Sequence, residues 1–252
     1  MRFTIFILLL SITTSSCISK SRVTSDTAPS HQLWSGLLKK YVTSEGLVNY
    51  GELVNERSTL EKYLELLSNN APDVEKWTYE EQLAYWINAY NALTVKLIID
   101  NYPVNSIKDL HPLNIPFVSS VWQKKFFKIG GEKMNLDHIE HKILRKQFNE
   151  PRIHFAINCA SLSCPILLDE AFDPKRLEEQ LEQQTVTFIN DPNRNTITSQ
   201  DLKLSKIFSW FKGDFTKNKS LIDFINQYSK IVVDRGVDVK YLDYNWKLNE
   251  GK

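Results

Sequence analysis

The chain has 252 residues, of which 42% are hydrophobic, 24% charged and 12% aromatic, with 8 Gly and 9 Pro. Those proportions exclude a disordered chain, a collagen-like chain and a disulfide-dense mini-protein. Lys and Arg number 31 against 30 Asp and Glu, so no net positive field recommends a nucleic-acid partner.

The first segment, MRFTIFILLLSITTSSC, places Arg2 before an apolar run from Phe3 to Leu10 and small hydroxyl residues before Cys17. This is the layout of a secretory signal. The apolar run is roughly half the length of a membrane-spanning helix, which argues against a transmembrane anchor. Ser16-Cys17 resembles the lipobox of bacterial lipoproteins, although Thr14 stands where that box favours Leu. The alternative is an ordinary cleaved signal with an incidental cysteine. Residues 1–16 therefore read as a signal peptide, 17–30 as a lipidated Cys17 with a polar tether, and 31–252 as one globular domain. The expected location is extracytoplasmic in the bacterial cell envelope, facing the periplasm or the cell surface, with the membrane a partner through the lipid anchor.

In the expected domain, His31 to Val42 has helical spacing, Leu47 to Tyr50 suggests a short strand, and Leu60 to Leu67 a second helix. Thr78 to Asn101 is the longest expected helix, opened by Thr78 and Glu81 in a capping box and closed before Pro103. Phe126 to Asn135 reads as a hairpin around Gly130-Gly131, Leu136 to Phe148 as a helix, and Arg152 to Asn158 as a buried strand. Ser163-Cys164-Pro165 reads as a helix start, and a further helix is expected from Pro174 to Ile189. A small hairpin (Thr196–Thr198 with Leu202–Leu204), a helix from Ser220 to Tyr228 and extended structure from Val237 to Leu248 complete the chain. The fold class is α+β: a helix-rich single domain with short, mostly antiparallel strands and hairpins.

The runs AYWINAYNALTV (Ala84 to Val95), LDHIEHKILR (Leu136 to Arg145) and HFAINCASLSCP (His154 to Pro165) resemble domain-of-unknown-function family 547, in its bacterial branch. LSKIFSWFKGDF (Leu204 to Phe215) and YLDYNWKLN (Tyr241 to Asn249) resemble its C-terminal half. The resemblance implies a predicted lipoprotein and brings no established activity, cofactor or catalytic residue.

Three groups of residues carry the candidate chemistry. On the long helix, Leu83, Ile87, Tyr90, Thr94, Leu97 and Ile98 form an apolar stripe flanked by Asn88 and Asn91. Those amides either tie down loop backbone or orient a catalytic histidine or polar ligand. If residues 152–158 are a strand, His154 and Cys159 lie about 16 Å apart with opposite parity, so they do not pair directly. Cys164 at a helix start is the better nucleophile, with His154 as base and Asn88 or Asn91 as orienter. Alternatively, Cys159 and Cys164 form a disulfide across a short turn, adding about 2 kcal/mol by loop closure, or stay buried as inert thiols. The third group is Asp137, His138, Glu140 and His141. Its histidines are three apart, where zinc proteases space them four apart, so no metal site is assigned.

Binding residues expected at the site are Tyr90, Asn91, Glu140, His141, Arg145 and Ser163, and no cofactor is expected. Trp122, Phe126, Phe127, Trp210, Phe211 and Trp246 read as core or as the wall of a groove. The function expected is an envelope-associated module that binds an envelope ligand or protein in a polar pocket near His154, Asn88 and Asn91. The alternative is a cysteine-dependent envelope hydrolase or acyltransferase.

Overall fold

The computed structural model describes residues 23–111 and 120–251; the expected signal peptide and Cys17 lie outside them. Strand β1 (Thr24–Ser25) pairs in parallel with β2 (Ala71–Pro72), and Trp77 Nε1–H donates to the Ser25 carbonyl at 2.7 Å. Residues 24–26, expected within a free tether, are thus docked on the body, with Asp26 also paired to Lys76. Helices α2 (Tyr50–Leu53) and α3 (Arg57–Asn69) pack on α4 (Tyr79–Ile99), and α1 (Gln32–Tyr41) packs on α2 and α3. The expected strand at residues 47–50 is only a pair of bridges, from Val48 to Val42 and to Glu250.

Helix α4 begins with the anticipated capping box: Thr78 Oγ1 accepts the Glu81 N–H, and Glu81 accepts the Thr78 N–H. From Leu83 to Ile99 every residue except Lys96 is buried, so the helix is enclosed all round and not along one stripe. Ala84, Ala89 and Ala92 let its neighbours approach the backbone closely.

Next come the hairpin β3 (Phe127–Ile129) and β4 (Glu132–Met134), whose turn residues Gly130 and Gly131 both have positive φ. Two such residues suit the twist of a two-residue hairpin turn. The helix expected from Leu136 to Phe148 is a π-helix, His138–Leu144, followed by α5 (Arg145–Gln147). Residues 152–158 are not a strand. Ile153–Ala156 form a short helix, α6, because the turn at Pro151 lets the His154 N–H reach the Pro151 carbonyl. Among the described residues, no strand pairs with this segment. Instead the Asn91 amide takes the Ala156 carbonyl and the Asn158 N–H.

Helix α7 (Leu177–Ile189) starts three residues later than its Pro174 signal suggests, after a turn. The antiparallel pair β5 (Thr196–Ile197) and β6 (Leu202–Leu204) is followed by α8 (Lys206–Trp210), α9 (Lys212–Phe215) and α10 (Leu221–Tyr228). Strand β7 (Val239–Tyr241) then returns to pair with β6 in parallel. The short strands therefore pair in both senses within a helix-rich α+β fold. Two apolar clusters fill it, one around α1, α3 and α4 and the other around α8 to α10. Phe155 of α6 anchors the second cluster, packing on Phe188, Phe208, Phe215 and Phe224.

Candidate functional site

Between the two clusters lies a cleft of about 230 Å³. Its floor comes from α4 and the π-helix. A π-helix turn carries an extra residue, and such turns concentrate at functional sites; here it brings Asp137, Glu140 and His141 to the cleft beside Tyr90. His138, expected to share a face with His141, does not line it. Tyr90 donates its hydroxyl to Glu140 Oε2 at 3.2 Å. Burial raises the Glu140 carboxyl to about 7, against the opposing pull of the Tyr90 hydrogen bond.

His154 enters from α6, 2% exposed, with its ring stacked on Phe211 at a centroid distance of 4.0 Å. Its Nε2 donates to Asp214 Oδ2 at 2.8 Å, which leaves Nδ1 as a buried lone pair without a partner among the described residues. Arg145 Nε–H donates to the same carboxylate oxygen at 2.6 Å, and Arg145 Nη1 donates to His141 Nδ1 at 3.0 Å. Burial pushes the Asp214 carboxyl up, but hydrogen bonds from His154 and Arg145 outweigh it and hold the group well below the usual carboxylate range. Burial lowers both imidazoles, more than the neighbouring carboxylates raise them.

The far wall is built by the C-terminal segment. The Leu162 and Ser163 N–H groups donate to the Lys247 and Asn245 carbonyls, and Ser163 Oγ accepts the Asn245 N–H at 2.9 Å. That pairing seats Tyr244 and Trp246 in the cleft, where they meet Trp210 and Trp122 in a run of ring contacts. Cys159 and Cys164 complete the lining and are joined as a disulfide, with Cα atoms 6.1 Å apart.

Tyr90, Glu140, His141, His154, Cys159 and Cys164 are brought together in the cleft. Asn88 and Asn91 are not. Asn88 accepts the Phe172 N–H and donates to the Phe172 carbonyl, on a different loop. Asn91 lies beneath the floor and fixes the backbone that follows His154. Arg145 stands behind Phe211, its guanidinium 4.9 Å from the ring centre, and Ser163 acts as a clasp for the C-terminal segment. The expected helix start at Cys164 is corrected as well, since the residues after it run as loop. With its sulfur in the disulfide, Cys164 has no thiolate and is not a nucleophile in this state. Asp214 and Tyr244 belong to the runs LSKIFSWFKGDF and YLDYNWKLN, where nothing local in the sequence marks them apart from neighbouring polar residues. Among the described residues, no group of three or more His, Cys, Asp or Glu is placed to hold a metal ion.

Residues 74–189 match the family model described as "Protein of unknown function, DUF547". Neither a curated protein nor a solved structure matches the chain.

Proposed function

We propose that this member of the DUF547 family, matched over residues 74–189, is a ligand-binding module of the bacterial cell envelope. Its cleft takes a small cationic ligand with an apolar face, such as an alkylammonium or quaternary ammonium. The observation that carries this reading is the composition of the lining. Among the described residues, six aromatic side chains face the cleft with the carboxyl groups of Asp137 and Glu140, and no Lys or Arg lines it. The two imidazoles there are held uncharged at neutral pH by burial. A cation is therefore offered ring faces, the Asp137 carboxyl and a Glu140 carboxyl that ionises at about 7, the arrangement that desolvated ammonium groups favour. Trp246 already holds one cation in this way, with Lys108 Nζ 5.1 Å from its ring centre.

A signal peptide over residues 1–16, a lipid on Cys17 and a short tether reaching the docked strand would hold the cleft at a membrane surface. Substituting Cys17→Ser should then move the protein from the membrane fraction to the soluble one.

Tryptophan fluorescence titrated with choline and with hexyltrimethylammonium tests the ligand class, with glucose and N-acetylglucosamine as uncharged controls. Saturable quenching by the ammonium probes, lost in Trp246→Ala, is expected. Saturation by the sugars alone, or by none of the four, overturns the reading.

A further inference from the structure

The disulfide is placed where a staple has little to do. Its five-residue span closes a short loop, and short loops gain least from closure. The same loop is already held by other means. Asn158 Oδ1 accepts the Ala160 N–H, and Asn158 Nδ2 donates to the Pro165 carbonyl. Arg194 donates to the Cys164 and Leu162 carbonyls, and the C-terminal segment binds the Leu162 and Ser163 N–H groups.

The two sulfurs also differ in surroundings. Cys159 is partly exposed in the cleft wall, whereas Cys164 is 2% exposed. Among the described residues, Cys164 Sγ alone receives a backbone donor, the Cys159 N–H at 2.9 Å, while the Tyr244 hydroxyl lies 3.3 Å from both sulfurs and Ser161 Oγ 3.3 Å from Cys159 Sγ. Donors aimed at one sulfur of a disulfide stabilise the thiolate that leaves when the other is attacked.

We propose that Cys159–Cys164 is a thiol–disulfide exchange site serving thiols that enter the cleft. An incoming thiolate attacks Cys159 Sγ, the Cys159–Cys164 bond breaks, and a mixed disulfide forms between the thiol and Cys159. The electron pair of the broken bond leaves on Cys164 Sγ, facing the Cys159 N–H and the Tyr244 hydroxyl. A second thiolate attacks the sulfur of the bound thiol, releasing Cys159 as thiolate and a small-molecule disulfide. The protein is thereby reduced by two electrons and two thiols are oxidised. The further preference for a cationic thiol rests on the proposed ammonium-binding character of the cleft; the exchange itself does not.

The test uses the folded protein with 2-mercaptoethylamine or, in parallel, 2-mercaptoethanesulfonate, quenched by alkylation and read by intact mass and peptide mapping. Exchange predicts an adduct on Cys159, formed without denaturant, and a reduced protein that stays folded by circular dichroism. Tyr244→Phe should slow formation about three- to tenfold per thiolate, by loss of a donor to the leaving sulfur. Cys164→Ser, treated with cystamine, should accumulate the adduct on Cys159. Mapping of the adduct to Cys164, reduction only in denaturant, or an unchanged rate in Tyr244→Phe overturns the proposal. If both thiols form the Cys159 adduct equally fast per thiolate, exchange stands and the ammonium reading of the cleft fails.

Discussion

His154 Nε2 lies 2.8 Å from Asp214 Oδ2, the same oxygen that takes the Arg145 Nε–H at 2.6 Å. One carboxylate therefore fixes the tautomer of the buried imidazole and holds the cation behind Phe211. Its contacts join α6, α9 and α5.

Asp214→Asn should destabilise the protein by about 2 kcal/mol at pH 7, below the full cost of breaking a buried pair because Asp214 and Arg145 keep some solvent access, although His154 is enclosed. The folded-state carboxyl is depressed, so its stabilisation is present above the ordinary carboxylate range and lost as pH falls below it. The gap between wild type and variant should accordingly narrow between pH 5 and pH 3, about the unperturbed Asp range. Urea denaturation at several pH values measures it; a gap constant down to pH 3 contradicts the assignment.

Glu140 has the opposite sign. Its folded-state carboxyl is raised to about 7 by burial, so the folded protein binds a proton that the unfolded chain has lost. Its contribution is complete below the unfolded value and disappears as pH rises through about 7. Glu140→Gln removes that dependence. The variant should gain on wild type by about 3 kcal/mol between pH 4 and pH 8, seen as diverging melting temperatures. Ammonium binding should strengthen with rising pH through the same interval in wild type and stay flat in the variant.

Much of the helical frame is legible in the sequence because its signals are local. Thr78 with Glu81, Ser220 with Asp223, and Gly130-Gly131 each solve a problem within a few residues of themselves. The segment 152–158 is not legible in this way. Its apolar alternation resembles a strand, yet whether a ladder forms depends on a partner strand that the fold does not supply, and the Asn91 amide stands in for one. The site divides similarly. Glu140, His141 and His154 are chemically conspicuous residues, whereas Asp214 and Tyr244 matter only because α9 and the C-terminal segment fold back onto α6 and the disulfide loop. Helical geometry also places Asn88 and Asn91 together on one face, but the bodies packed against that face assign them different tasks.

Those tasks separate in mutants. Asn88→Ala strands the Phe172 N–H and carbonyl, and Asn91→Ala strands the Ala156 carbonyl and the Asn158 N–H. Each should cost about 2–5 kcal/mol, since two buried backbone groups lose their partners. Only Asn91→Ala should also weaken ligand binding, because it loosens the backbone between His154 and Cys159. Equal binding losses in the two folded variants would place Asn88 at the site after all.

Gly46 shows how far the cleft depends on the N-terminal helices. It has φ of +75°, and a Cβ there would lie 2.4 Å from Ile166 Cβ and 2.8 Å from Ile166 Cα. Ile166 follows Pro165, a lining residue, and its carbonyl is held by Gln184, so the backbone has little room to retreat. Gly46→Ala should therefore cost about 2–4 kcal/mol, combining left-handed backbone strain with overpacking. Gly36, inside α1, has nothing within 4 Å of its added Cβ, and Gly36→Ala should stabilise by about 0.5–1 kcal/mol through helix propensity alone. Thermal melts of the pair should shift in opposite directions. Ammonium affinity should fall only in Gly46→Ala, since only that substitution pushes on the loop carrying Pro165; unchanged stability in Gly46→Ala would contradict the coupling of this turn to the cleft.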